Sequence, residues 1–220
     1  MIYFDKVSKI YPDKSHALDS VTFSVEPKEF TTIVGHSGAG KTTLLKMLIA
    51  EDRPTHGSIF FESKNIHKLG KGDINKLRRR IGTVFQDFRL LPDKTAYENV
   101  AFAMEAAGRP DEEIESDVPH ALELVGLKHK AHSFPDELSG GERQRIAIAR
   151  AIVNQPDLII ADEPTGNLDD FNADVVWNLL KGANEQLGIT VVVVTHRVPK
   201  NLGINFRQLS IEDGIIYEVS

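Results

Sequence analysis

Residues 35–42 have the residue types and the spacing of a phosphate-binding loop. They read Gly-His-Ser-Gly-Ala-Gly-Lys-Thr and fit the pattern G-x-x-x-x-G-K-[ST]. A short β-branched run (30–34) precedes the loop and a good helix former (43–49) follows it. In this order of strand, loop and helix, backbone N–H groups and the positive end of the helix can surround an anion. The segment therefore predicts a site for the phosphates of a nucleotide.

The side chains that end this loop have separate expected roles. Lys41 would reach the β- and γ-phosphates, and Thr42 would place its hydroxyl on Mg²⁺, a hard cation that prefers oxygen ligands. The alternative is a glycine turn that only caps a helix. We expect nucleotide contacts from Gly35, His36, Ser37, Gly38, Ala39, Gly40, Lys41, Thr42 and Thr43.

A second candidate is the pair of carboxylates that ends the apolar run 158–161. Asp162 and Glu163 follow Leu-Ile-Ile-Ala, and neighbours on a strand point to opposite faces, which predicts different roles for the two. We expect Asp162 on the Mg²⁺ side and Glu163 as the general base for an attacking water. Without the phosphate loop, a solvated acidic strand end would be the better interpretation.

Two further polar residues follow predicted strands. His196 comes after the run 191–195 and could hydrogen-bond a γ-phosphate, because ligands of open α/β sheets bind at the carboxyl ends of strands. Gln86 ends the strand 81–85 and could offer its amide oxygen to Mg²⁺ or to the attacking water. Either residue alone would be unremarkable, and the neighbouring motifs give them their predicted roles.

The stretch Leu-Ser-Gly-Gly-Glu-Arg-Gln (138–144) predicts a second helix start that can bind an anion. Ser139 suits the N-cap, Glu142 completes a capping box, and Gly140 and Gly141 leave backbone N–H groups open. It could be a purely structural cap. Since residues 35–42 already hold the phosphates of one nucleotide, a second anion site suggests that two chains share a ligand.

Composition limits the class of protein. The 220 residues carry a net charge of -6, which argues against a nucleic-acid partner, and the chain contains no cysteine. Its longest apolar runs have the length of strands, so the sequence predicts neither a membrane-spanning helix nor a signal peptide.

The pattern of apolar residues predicts an α/β fold. Alternating runs near 2–7 and 21–25 indicate antiparallel strands beside the nucleotide, and Tyr11 between them could stack on a purine or pack on its own loop. Helical spacing in 95–107, 111–125 and 140–153 indicates a helical region, in which Pro119 should kink or divide the second helix. Solid apolar runs that alternate with helices then predict a largely parallel core sheet.

Taken together, these motifs resemble those of the ATP-binding cassette (ABC) ATPases over the whole chain, in the order of that family. The resemblance implies a P-loop NTPase fold with a mixed, largely parallel core sheet and an antiparallel β subdomain (about 1–86 and 156–220) and a helical subdomain (about 87–155). It also implies ATP and Mg²⁺ as ligands, Tyr11 as an adenine platform, and Asp169 in the D-loop (167–169). It further implies a homodimer that buries two ATPs, each between residues 35–42 of one chain and Ser139 and Gly141 of the other.

Within the family, residues 162–169 resemble the branch that contains the cell-division ATPase FtsE and the lipoprotein-release and macrolide-export ATPases. Residues 85–100 look most like the FtsE group of that branch. That group implies an integral membrane partner resembling FtsX and a location on the cytoplasmic face of the cell membrane. We expect the partner to dock on Phe88, Leu90, Leu91 and Tyr97, which follow Gln86 directly. The alternatives are the ATPase of a lipoprotein-release or macrolide exporter, and a membrane tether in which ATP turnover is incidental.

Overall fold

Two β-sheets and a group of helices make up the computed structural model, which describes residues 1–199 and 202–219. The strands are β1 (Ile2–Ile10), β2 (His16–Val25), β3 (Phe30–Val34), β4 (His56–Phe61), β5 (Lys64–Asn65), β6 (Ile81–Phe85), β7 (Leu158–Asp162), β8 (Thr190–Thr195), β9 (Arg207–Glu212) and β10 (Ile215–Val219). The helices are α1 (Lys41–Leu48), α2 (Lys71–Arg79), α3 (Ala96–Ala107), α4 (Asp111–Leu124), α5 (Gly140–Ile152) and α6 (Asp170–Glu185). The range predicted for the core, 156–220, includes residues 200, 201 and 220, which lie outside the described residues.

The larger sheet has six strands in the order β10-β9-β3-β8-β7-β6. Its pairs from β9 to β6 are parallel, and only the terminal β9–β10 hairpin is antiparallel. The smaller sheet has the order β2-β1-β4-β5 and is antiparallel. Both features confirm the fold class predicted from the sequence, a P-loop NTPase fold with a mixed, largely parallel core sheet.

The core strands are apolar throughout because they are covered on both faces. Ile159, Ala161, Val191 and Val193 pack with helices α3 to α6 in one hydrophobic cluster. Their neighbours on the same strands, such as Ile160 and Val192, pack with α1 and the antiparallel sheet in a second cluster. The period of two along a strand thus divides one run of residues between two cores.

Helices α3, α4 and α5 lie between β6 and β7 in the sequence and pack on one another, and α5 also contacts β6 and α6. The capping box predicted at Thr95 is present, with Glu98 as its second member. Pro119 was expected to kink or divide α4, and the division is wrong, because the helix runs without a break through this residue. One proline removes one backbone hydrogen bond, and the buried side chains of Ile114, Val118 and Leu122 hold both halves of α4 in the same core.

Candidate nucleotide-binding and catalytic site

The phosphate loop lies between β3 and α1, at the carboxyl ends of the parallel strands. Gly38 and Gly40 have φ values of 85° and 101°, a backbone conformation that residues with a Cβ rarely adopt. A Cβ on Gly40 would lie 2.2 Å from the carbonyl oxygen of Ala17, so glycine is also required here for space. Among the described residues no side chain caps α1, and its first turn has no acidic residue. The N–H groups of this helix end are therefore left for an external anion.

Lys41 is almost completely buried, and its ammonium group is held inside the loop. The Nζ atom donates to the carbonyl oxygens of Gly35 (2.7 Å) and His36 (3.0 Å). It also lies 3.2 Å from Oε1 of Glu163. The lysine of the phosphate loop and the proposed base thus form an ion pair in this structure.

Asp162 ends β7, and its side chain faces the start of α1. Its Oδ1 atom is buried and has no hydrogen-bond partner among residues 1–199 and 202–219. Burial raises the pKa of this carboxyl group, and a hydrogen bond with the Thr42 side chain partly offsets the rise. A buried carboxylate oxygen without a partner, beside a threonine hydroxyl, is a donor set that fits a hard divalent cation.

Glu163 lies beyond the strand, contrary to the expectation that strand alternation would separate it from Asp162. β7 ends at Asp162, and Glu163 has a φ of 46°, so its carboxylate turns into the same cleft. Its Oε2 atom accepts from the backbone N–H of His196 (3.2 Å) and lies 2.8 Å from Nδ1 of that ring. Burial raises the pKa of Glu163, but the hydrogen bonds with His196 and Lys41 outweigh it, and the net shift is downward. Glu163 is therefore an ionised carboxylate at neutral pH.

Gln86 bonds to the loop that follows the two carboxylates. Its Nε2 donates to Oδ1 of Asn167 (3.0 Å), and Nδ2 of Asn167 donates back to the Gln86 carbonyl oxygen (3.2 Å). Tyr11 lies at the other side of the cleft, where its hydroxyl is 3.2 Å from Thr43 Oγ1 and 3.3 Å from Asp52 Oδ2. Asn167 was predicted only as part of the D-loop (167–169), and Asp52 was not predicted from the sequence.

These elements enclose a cleft of about 740 Å³. Its lining contains the predicted residues Tyr11, Ser37, Gly38, Gly40, Lys41, Thr42, Thr43, Gln86, Asp162, Glu163 and His196. Ser15, His16, Ala17 and Gly166 also line it and were not predicted. Ser15 precedes β2 and His16 and Ala17 begin it, and no local signal distinguishes the three. Gly166 lies three residues after Glu163 and could have been inferred from that position. Gly35, His36 and Ala39 support the loop without lining the cleft.

The second predicted anion site lies elsewhere. Ser139 is the N-cap of α5: its hydroxyl accepts from Glu142 N–H (3.2 Å), and Glu142 Oε2 accepts from Ser139 N–H (2.8 Å). The latter hydrogen bond lowers the pKa of Glu142. Within the described part of the chain, the cleft around Lys41 contains none of Ser139, Gly140, Gly141 and Glu142, nor Asp169, which caps α6.

The four residues predicted for docking are only partly exposed. Phe88, Leu90, Leu91 and Tyr97 are all half-buried, and Leu90 and Tyr97 pack against the helical core. The guanidinium group of Arg150 donates to the carbonyl oxygens of Phe88 (2.9 Å) and Arg89 (2.6 Å). Sequence reasoning missed Arg150, because nothing local to α5 indicates a contact with the loop after β6.

Within residues 1–199 and 202–219, no helix combines the length and the apolar character that crossing a bilayer requires.

Comparisons with known proteins agree with this geometry. Residues 18–166 match the family model described as ABC transporter. The cell division ATP-binding protein FtsE of Bacillus subtilis is 48% identical over 98% of this chain and 94% of its own length. FtsE of Streptococcus pneumoniae is 50% identical (94% and 90%), and FtsE of Escherichia coli is 44% identical (99% and 97%).

Solved structures show the same fold. A dimeric ATP-binding cassette in a post-hydrolysis state, bound to ADP and Pi, has a TM-score of 0.90 at 36% identity, covering 100% of this chain and 98% of that one. The cbiO1 protein of Clostridium perfringens, part of the ABC transporter complex cbiONQ, has a TM-score of 0.88 at 31% identity, with coverage of 98% and 86%. The chain is thus an ATPase of the ABC transporter family, and within that family it belongs to the FtsE group.

Proposed function

We propose that this ATPase works in bacterial cell division, as a homodimer that drives an integral membrane protein resembling FtsX from the cytoplasmic face of the membrane. Relatives named for cell division match it at 44% and 50% identity over nearly its whole length. The observation that carries the mechanism is that Ser139 and its neighbours lie outside the cleft that contains Lys41 and Glu163. The cleft in one chain is therefore half of a site.

In this proposal the cleft holds ATP with its phosphates on residues 35–43 and its base near Tyr11. Thr42 and Asp162, with Gln86 after it leaves Asn167, would hold Mg²⁺, which neutralises charge on the phosphate oxygens when it is bound. The Lys41–Glu163 ion pair must then open, because the ammonium group exchanges a carboxylate oxygen for phosphate oxygens. Binding of ATP thus frees the base.

Glu163 would act as the general base. Water attacks the γ-phosphorus, its proton passes to the Glu163 carboxylate, and the bond from phosphorus to the β-γ bridging oxygen breaks to give ADP and phosphate. His196 holds one carboxylate oxygen at 2.8 Å, which orients the other toward the water. The pKa of Glu163 is lowered from its ordinary value by the hydrogen bonds with His196 and Lys41, so the carboxylate is already ionised when ATP binds.

Two chains arranged head to tail would complete each site. The α5 N-terminus of one chain, with Ser139 and Gly141, closes over the γ-phosphate held by the other, and Asp169 lies at the same contact. Mixing a Lys41→Ala chain with a Ser139→Arg chain should restore ATPase activity, since each mixed dimer keeps one complete site. A mixture no more active than its components at any ratio would contradict the shared site.

We propose that the membrane partner docks in a groove of about 410 Å³ between α2 and α3. Phe102 lines this groove and is 45% exposed, whereas the four residues predicted for docking are half-buried. Arg78 and Arg79 line the opposite side of the groove. Aromatic and arginine side chains are enriched among the residues that dominate binding at protein interfaces.

Arg150 links this groove to the nucleotide site. It lines the groove and donates to the carbonyl oxygens of Phe88 and Arg89, in the loop that begins with Gln86. We infer that the helical part of the chain (about 87–155) passes movement at Gln86 to the partner through this contact. In this proposal, Arg150 and the loop after Gln86 connect the groove to the ATP cleft.

Co-purification from membranes tests the partner. Phe102→Asp should lose capture of the membrane protein and keep ATP binding, while Phe134→Asp, on an equally exposed phenylalanine outside the groove, should keep both. Capture of an exporter subunit in place of an FtsX-like protein would favour the transport alternative. ATPase activity that the bound partner leaves unchanged would favour the tether.

A further inference from the structure

The two glycines that begin α5 have different surroundings. A Cβ on Gly140 would have Cδ2 of Leu168 as its nearest neighbour, at 3.7 Å, an ordinary contact distance. A Cβ on Gly141 would lie 2.0 Å from Oδ1 and 2.3 Å from Cγ of Asn172. Gly141 is buried and is not among the glycines of positive φ. Glycine is required at position 141 because the Asn172 side chain occupies the space of a Cβ.

Asn172 is fixed in that position by the residue that caps α6. Its backbone N–H donates to Oδ1 of Asp169 (2.9 Å), and its Nδ2 donates to Oδ2 of the same carboxylate (2.7 Å). Two hydrogen bonds to a charged group hold a short side chain firmly. The amide oxygen is thereby directed at the backbone of Gly141.

The loop that carries this contact also reaches the nucleotide cleft. Asn167 exchanges hydrogen bonds with Gln86, which lines the cleft, and Leu168 lies against Gly140. Residues 167–172 therefore contact the cleft on one side and the first turn of α5 on the other.

We propose that Asn172 is a positioning residue that fixes the N-terminus of α5 relative to the loop 167–169. This inference rests on the proposed function, in which that helix end completes the site of a second chain. Asn172 touches no substrate in this assignment. It sets where Ser139 and the free N–H groups of α5 stand when the two chains close.

A pair of substitutions tests the contact. Gly141→Ala should lower the ATPase kcat about tenfold or more, because the new Cβ displaces Asn172 from Asp169. Asn172→Ala alone should lower kcat about fivefold with KM within about twofold, the scale of one lost positioning hydrogen bond. The double variant Gly141→Ala/Asn172→Ala should recover the Tm that Gly141→Ala loses, because the new Cβ then enters the space of the Asn172 side chain. Tm is the readout here, since Gly141 itself belongs to the proposed γ-phosphate contact. A double variant with a Tm as low as that of Gly141→Ala would overturn the assignment.

Mixed dimers separate positioning from general stability. Each mixed dimer of a Lys41→Ala chain and a Ser139→Arg chain has one complete site. In that site the Lys41→Ala chain supplies Ser139, and the Ser139→Arg chain supplies Lys41. Asn172→Ala should lower kcat about fivefold when placed in that chain, and much less when placed in the Ser139→Arg chain. Asn178→Ala, on an exposed asparagine of the same helix, should have no effect in either chain.

The outcomes for the two proposals differ. Equal losses from Asn172→Ala in both chains of an active mixture would overturn the positioning role and leave the shared site intact. A mixture that is inactive without any Asn172 substitution would overturn the shared site itself.

Discussion

The N-termini of α1 and α5 are both predicted to face the phosphates of ATP, yet they are built in opposite ways. In the described residues α1 has no side-chain cap and no acidic residue in its first turn, and it begins with Lys41. α5 begins with a complete capping box, and the carboxylate of Glu142 bonds to its own N-cap. The first helix end is left open for a ligand, whereas the second is stabilised by its own residues.

Under the proposed function, this difference would explain why one chain can hold nucleotide and still be an incomplete enzyme. An uncapped helix end with a buried lysine attracts an anion by itself. A helix end that already carries a carboxylate is a weaker anion site, and in the proposed dimer it would contribute when another chain brings the rest of the ligand. We therefore expect binding to depend on α1 and closure to depend on α5.

The largest expected effect separates binding from hydrolysis at the first site. Glu163→Gln should lose ATPase activity by roughly 10²- to 10⁴-fold, the range for a positioned base, and should retain ATP. Binding and turnover assays measure both. Glu123→Gln, an exposed residue of α4 with one surface ion pair, is the control and should keep full turnover. Wild-type turnover in Glu163→Gln would remove Glu163 from its role.

Alanine at matched glycines of the two helix ends should distinguish them. Gly40→Ala should weaken ADP binding by the isolated chain about tenfold or more, since φ at position 40 is 101° and the Cβ meets Ala17. Gly140→Ala has room for its Cβ and lies outside the cleft. Its ADP affinity should equal that of wild type in calorimetric titration. Similar losses in both variants would refute the division of roles.

The cap of α5 should have both a structural and a functional effect. Ser139→Ala should lower the free energy of unfolding by about 1 kcal/mol, or roughly 2–4 °C in Tm, and should also reduce ATPase activity. Thr95→Ala removes the equivalent cap of α3 and should lower Tm by a similar amount with activity unchanged. Calorimetry and steady-state assays on both variants make the comparison. Full activity in Ser139→Ala would leave the cap with a structural role alone.

The smallest effect concerns the charge on Glu142. Its pKa is lowered from the ordinary 4.5, chiefly by the hydrogen bond with the backbone of Ser139. A carboxylate whose pKa is lower in the folded than in the unfolded protein stabilises the fold at pH values above its unfolded-state pKa. This contribution is lost as the pH falls through the folded-state pKa. Wild type should therefore exceed Glu142→Gln slightly in Tm near neutral pH, and the gap should shrink below pH 4.5. A Tm difference that does not change with pH would show that the charge of the Glu142 carboxylate is not its cause.

Most of the fold could be predicted from local sequence patterns, because those features depend on interactions between residues close in sequence. The phosphate loop, the buried strands and both capping boxes depend on residues within a few positions of one another. The role of Asn172 was not predicted, because its contact with Gly141 depends on how α5 and α6 pack. The only local signal was Asp169, an N-cap residue three positions earlier in the sequence. Glu163 was misplaced for a related reason: a strand pattern does not reveal that the next residue has a positive φ.

The place of β3 in the sheet has a consequence for synthesis of the chain on the ribosome. Its neighbours, β8 and β9, are formed by residues 190–195 and 207–212. A Cβ on Gly35 would lie 2.4 Å from the carbonyl oxygen of Ile211, so the loop packs directly on that last part of the sheet. A nascent chain cannot form the β3–β8 and β3–β9 pairs until residues 190–212 have emerged, and such long-range pairing is slow to form. We expect ATP to bind only after these residues have been synthesised, so that the nucleotide cannot assist the earlier stages of folding.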